Sequence, residues 1–150
     1  MKLGFVTVAV TISLSLMAGV FLSSNQLMQA NAATFSQSGG LLGYGAQIFG
    51  LIDVSTDDHR TRINIVSDFL APSGKVFEVW MVDGNYRASG YPLSLGEISA
   101  NGTLRYNENL VYSPTYTDVV VTLEPENDKD PKPNWYGSVA AYWLAPPFGQ

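Results

Sequence analysis

The sequence predicts an all-β protein: an antiparallel β-sandwich of about seven strands, immunoglobulin-like or related, behind an N-terminal signal segment. Three observations carry this expectation. Short runs rich in Val, Ile, Leu, Tyr and Trp recur along residues 46–145, each ended by Gly, Pro, Asn or Asp. No window after the first thirty residues shows the apolar period of a helix. The chain of 150 residues is 46% hydrophobic, which is enough for one domain with a core of its own. No internal repeat or linker interrupts 46–145, so one domain is expected.

The elements follow in order. Lys2 is the only charge before Asp53, and Leu3 to Leu22 is almost wholly apolar. Ala30-Asn31-Ala32 is then an A-x-A site with Ala33 after it. A basic start, an apolar run and a small-residue site mark residues 1–32 as a secretory signal peptide, cleaved between Ala32 and Ala33. An N-terminal membrane anchor is the alternative, since about 20 apolar residues span a bilayer. Both place the rest of the chain outside the cytoplasm. Residues 33–45 are Ser- and Gly-rich and read as a flexible tether before a sandwich domain over 46–150.

Strands are expected at 46–55, 62–70, 75–83, 93–99, 103–112, 118–125 and 135–145. Pro72 and Gly74 punctuate one turn, and Asn101-Gly102 makes a tight hairpin turn between 93–99 and 103–112. The strand at 75–83 is the most apolar, yet it holds Glu78. Alternation puts Phe77, Val79 and Met81 on one face and Val76, Glu78, Trp80 and Val82 on the other. Glu78 therefore stands on the outer face with its oxygens in water, or is buried against Arg62, Arg87 or Arg105.

Composition excludes much chemistry. With net charge −5 and eight scattered Lys and Arg, there is no basic stripe for nucleic acid. The absence of cysteine removes disulfides, thiolate metal sites and Cys nucleophiles. With His59 as the single histidine, zinc and copper sites and most Ser-His-Asp arrangements go too. No P-loop, G-x-S-x-G or H-E-x-x-H occurs, so no cofactor is expected.

Three polar groupings remain. Asp53, Asp57 and Asp58, beside His59, are weak calcium candidates, since calcium takes several oxygen ligands, but their spacing fits no known calcium loop. Glu124, Glu126, Asp128 and Asp130 read as a solvated loop. Asn101-Gly102-Thr103 is an N-x-T glycosylation acceptor. Among the aromatic residues, alternation places Trp135 and Trp143 on one face and Tyr136 and Tyr142 on the other; exposed, such faces suit sugar or peptide contacts.

The run "GKVFEVWMVDG", a loop, "LSLGEISANGTLRY" and "DVVVTLEPENDKDPKP" together resemble the C-terminal extracytoplasmic domain of anti-sigma-K factors. Gly74, Phe77, Val79 and Trp80 match that family's first strand. Leu95, Gly96 and Gly102 match its hairpin, and Val121, Leu123, Glu124 and Pro125 its E-P strand. The likeness covers roughly residues 45 to 145. It departs at Asn127 to Asn134, which is more charged than the family's turn, and it does not include the family's cytoplasmic zinc-binding domain. The resemblance implies an extracytoplasmic sensor or interaction domain.

The expected function is thus an exported, non-catalytic module that meets a protein or cell-envelope component. It meets no nucleic acid, and it meets a membrane only through an uncleaved N-terminal segment. Two alternatives stand: a structural subunit that self-associates through its first or last strand, and a carboxylate-dependent hydrolase using Glu78 or Asp83.

Overall fold

The computed structural model describes residues 35–57, 59–83, 92–109 and 116–144. The signal segment, its cleavage site at Ala32 and Ala33, Asp58 and Arg87 lie outside them. The described residues form eight strands: β1 (Phe35–Gly43), β2 (Ile48–Thr56), β3 (Thr61–Ser67), β4 (Lys75–Asp83), β5 (Leu93–Glu97), β6 (Thr103–Glu108), β7 (Tyr116–Pro125) and β8 (Ser138–Trp143). Short 3-10 turns at Tyr44–Ala46 and Trp135–Gly137 precede β2 and β8.

The all-β, antiparallel expectation holds. The layering differs from a two-sheet sandwich: all eight strands share one sheet in the order β5-β4-β7-β8-β1-β2-β3-β6, nearly closed into a barrel. The closing device is the turn after β5. β5 and β6 are consecutive in the chain but stand at opposite ends of the sheet. The Ile98 N–H bonds the Phe77 carbonyl of β4 at 2.8 Å, and the Ser67 N–H of β3 bonds the Gly102 carbonyl at 2.8 Å. The one turn is therefore bonded to β4 at one end of the sheet and to β3 at the other. The Asn-Gly turn is where the sequence puts it, but no ladder joins the strands it connects.

Gly102 is required there. Its φ is +78°, and a Cβ would lie 2.0 Å from the Ser67 carbonyl oxygen. Backbone this close admits only glycine.

β1 corrects the expected tether at 33–45. It pairs with β2 from Phe35 opposite Thr56 to Leu42 opposite Ile48, and its end pairs with β8. Gly39 and Gly40 lower β propensity, which is why the segment reads as a linker. A Cβ on Gly39 would meet the Tyr142 ring at 2.5 Å. The missing side chain thus lets Tyr142 lie across the strand. Gln37 Nε2 donates to the Tyr142 hydroxyl at 2.7 Å, which donates to the Ser38 carbonyl at 3.3 Å. Tertiary packing supplies what local propensity lacks.

The interior is filled by alternate side chains, as in small barrels. Leu41, Ile52, Val54, Ile63, Ile65, Phe77, Val79, Met81, Val119 and Val121 are all buried there. Phe49 stacks on Phe69 (centroids 5.4 Å apart) and meets Phe77 edge-on at 5.0 Å. Phe69 lies beyond the end of β3, which stops at Ser67.

Candidate functional site

The outer face of β4 answers the question raised by Glu78. Trp80 and Val82 are buried on that face with Val120 of β7, and Trp135 packs over them. Glu78, next along the same face, is half-buried. Its carboxylate accepts the Ser94 hydroxyl at 2.5 Å. Across the ladder it faces Glu97, not an arginine. Arg62 instead pairs with Asp57 at 3.1 Å. Glu78 is thus the outer-face carboxylate, and pairing with Arg62 is excluded. Desolvation raises its pKa above the usual carboxylate range; the Ser94 bond opposes this, and Glu124, Glu97 and Asp128 add to it.

The deeply buried carboxylate is Glu124, only 2% exposed. A chain of hydrogen bonds leads to it. Trp80 Nε1–H donates to Thr122 Oγ1 at 2.9 Å, and the Thr122 hydroxyl donates to Glu124 Oε1 at 2.5 Å. The Asn134 N–H donates to the same oxygen at 2.7 Å. Asn134 also caps the turn that carries Trp135 and Tyr136, through Oδ1 and the Gly137 N–H. Trp80 and Glu124 thus come together through Thr122, which sequence analysis missed. Alternation was the available signal: Thr122 and Glu124 share a face of β7, and Thr122 stands opposite Glu78 in the β4 ladder, two residues from Trp80. The other matching residues divide by role. Phe77, Val79 and Leu123 contribute to or pack on the main core. Gly74 turns the chain at φ +74°, Gly96 does so at φ +107°, and Pro125 ends β7.

The Trp135–Gly137 turn borders an uncharged aromatic groove of about 360 Å³ on the outer face. Leu42, Tyr44, Val120, Trp135 and Tyr136 line it, and no charged residue does. Tyr44 is 97% exposed, Tyr136 is fully exposed, and Trp143 is 63% exposed. Two turns present the tyrosines, and Trp143 ends β8. Tyr44 rides on a strained one: Gly45 has φ +73° and Ala46 φ +62°, closed by Gly43 N–H to the Gln47 carbonyl at 2.7 Å. A left-handed alanine costs about 1–2 kcal/mol. A second groove of about 280 Å³ shares Tyr44 and opens over Phe49, Phe69 and Phe77. From Leu42 the apolar surface continues to Ile48, and beside them Leu51 faces Val66 across the β2–β3 ladder, all four exposed. The expected opposition of Trp135 and Tyr136 takes a different form, because both sit in the 3-10 turn and the last strand starts at Ser138.

The remaining groupings do not assemble. Asp53 is exposed in mid-β2, opposite Asn64. Asp57 accepts the His59 N–H at 3.1 Å and pairs with Arg62. The His59 bond, opposed by desolvation and aided by Arg62, lowers its pKa. Among the described residues no three His, Cys, Asp or Glu side chains cluster as for a metal. Of the second acidic run, Glu124 is buried while Glu126, Asp128 and Asp130 are exposed, with Asp128 accepting the Asp130 N–H at 2.9 Å. Asp118 faces Val82 near Asp83; desolvation raises its pKa, as does Asp83, while a Thr117 hydrogen bond lowers it. Asn101 is exposed at the tip of the β5–β6 turn.

Comparison with known proteins finds no matching family model, no similar curated protein and no similar solved structure.

Proposed function

We propose that this chain is an exported, non-catalytic binding module, akin to the extracytoplasmic domain of anti-sigma-K factors, that meets a protein or cell-envelope component through its uncharged aromatic face. The observation that carries this is the set of exposed rings at the groove. Tyr44 and Tyr136 keep large apolar surfaces in water at the groove, on the turn with left-handed Ala46 and on the Asn134-capped turn, and Trp143 is exposed at the end of β8. Exposed aromatic clusters of this kind mark interaction sites, and tyrosine and tryptophan supply much contact area for little lost freedom. The kinship with anti-sigma-K domains rests on the ordered motif, whose Trp80 and Glu124 are linked through Thr122.

A photo-crosslinking residue at position 136, compared with one at position 64 on the polar part of the outer face, tests this in intact cells. A discrete envelope partner captured from 136 and not from 64 is expected. Equal capture at both positions, or none, refutes the assignment of this face.

Self-association is the second reading, favoured by the exposed band of Leu42, Ile48, Leu51 and Val66. It does not run through the first or last strand. β1 and β8 lie side by side within the sheet, and its ends are β5 and β6. Cross-links from 136 to a second copy alone would favour this reading. A carboxylate hydrolase would lose all turnover on Glu78→Gln or Asp83→Asn while staying folded.

A further inference from the structure

We propose that Asn101 is an N-glycosylation site, a modification that rests on the export part of the preceding proposal. The backbone of the turn is closed without any side chain of the N-x-T triplet. Gly102 N–H bonds the Ser99 carbonyl at 2.8 Å, and Ser99 N–H bonds the Thr103 carbonyl at 2.9 Å. Gly102 is explained by its φ and its contact with Ser67. The turn does not need the hydroxyl of residue 103.

That hydroxyl meets Asn101 and also lies 3.1 Å from Ser99 Oγ. Thr103 Oγ1 donates to Asn101 Oδ1 at 2.8 Å, and the Ser99 hydroxyl lies 2.5 Å from the same oxygen. Both neighbours hold the carbonyl end of the amide. Oδ1 takes both of these contacts, Nδ2 bonds no described residue, and Asn101 is exposed. This is the disposition an acceptor needs: a free amide nitrogen, with the hydroxyl that defines the acceptor triplet beside it. The site shares no residue with the aromatic groove.

The reaction takes its sugar from a lipid-phosphate-linked oligosaccharide, through a membrane-bound transferase. Nδ2 forms a bond to C1 of the sugar, and the C1–O bond to phosphate breaks. The electron pair leaves with the lipid phosphate, and one amide proton passes to a base of the transferase. No oxidant or reductant is involved.

The test is intact-mass and peptide mass spectrometry of the protein purified from its own cells, with N-terminal sequencing of the same sample. The wild type and Thr103→Ser are expected to carry whole sugar units on Asn101. Asn101→Gln and Thr103→Val are expected to lose all of the added mass while keeping the wild-type circular dichroism. Unmodified Asn101 in a chain that begins at Ala33 overturns the glycan and leaves export standing. Unmodified Asn101 in a cytoplasmic chain with Met1 intact overturns both. A glycan that survives Thr103→Val overturns the role given to the hydroxyl.

Discussion

Thr122→Val removes one hydroxyl and leaves the side-chain shape almost unchanged. In the folded protein that hydroxyl has two partners. It accepts the Trp80 indole N–H at 2.9 Å and donates to Glu124 Oε1 at 2.5 Å. Trp80 is 2% exposed, as is Glu124, so water cannot replace what is lost. An orphaned buried donor or acceptor costs about 1–3 kcal/mol. Two such groups give roughly 2–6 kcal/mol, and the lower part of that range is expected because Glu124 Oε1 keeps the Asn134 N–H. That is a large share of the roughly 5–15 kcal/mol that holds a typical domain together. Urea unfolding of the purified domain, followed by tryptophan fluorescence, measures it. Trp80→Phe serves as the partner variant, because it deletes the donor. Thr122→Val should cost about 1 kcal/mol less in the Trp80→Phe background than in the wild type. A cost below about 0.5 kcal/mol in both backgrounds would refute the chain from Trp80 to Glu124, since a buried bond of this kind contributes about 1 kcal/mol.

Three further perturbations test other parts of the fold. Gly102→Ala forces a side chain into left-handed backbone and against the Ser67 carbonyl, and should lower unfolding stability by more than about 2 kcal/mol; a loss under half of that would mean the turn does not close the barrel. Ala46→Gly relieves about 1–2 kcal/mol of strain and gives back about 0.4–1 in unfolded-chain freedom, so a net gain of about 0.5–1 kcal/mol is expected, and a measured loss would contradict the strained turn. Glu78 has a folded pKa raised above its unfolded value. The folded state therefore holds the proton longer, and stability falls as pH rises from the ordinary carboxylate value through the folded pKa. Glu78→Gln should flatten that part of the stability–pH curve, and an unchanged slope there would remove Glu78 as its source.

Much of the architecture could be read along the chain. Phe77, Val79 and Met81 point into the core and Trp80 and Val82 outward, as alternation requires. The turns at Gly74 and Asn101-Gly102 stand where their residues place them. These features are local: each depends on a period of two or on a φ that one residue type tolerates. β1 was not legible, because Gly39 and Gly40 look like a linker until Tyr142, from the far end of the chain, needs the empty space at Gly39. Nor was the partner of Glu78, because Ser94 reaches it from a neighbouring strand, while the arginines that seemed available stand on β3, on β6 or outside the described residues.

The sequence by itself determined the all-β class, the strand faces and the two turns. Only the tertiary structure decided that eight strands share one sheet rather than two. Local alternation says which face of a strand is apolar, but it does not say which strand lies beside it. That choice is made by contacts distant in sequence: Ile98 on Phe77, Gly102 on Ser67, and Tyr142 over Gly39. The same is true of the buried carboxylate. Glu78 and Glu124 each sit in an apolar strand, and what separates them is the Asn134–Trp135 turn, which folds over one and leaves the other beside water.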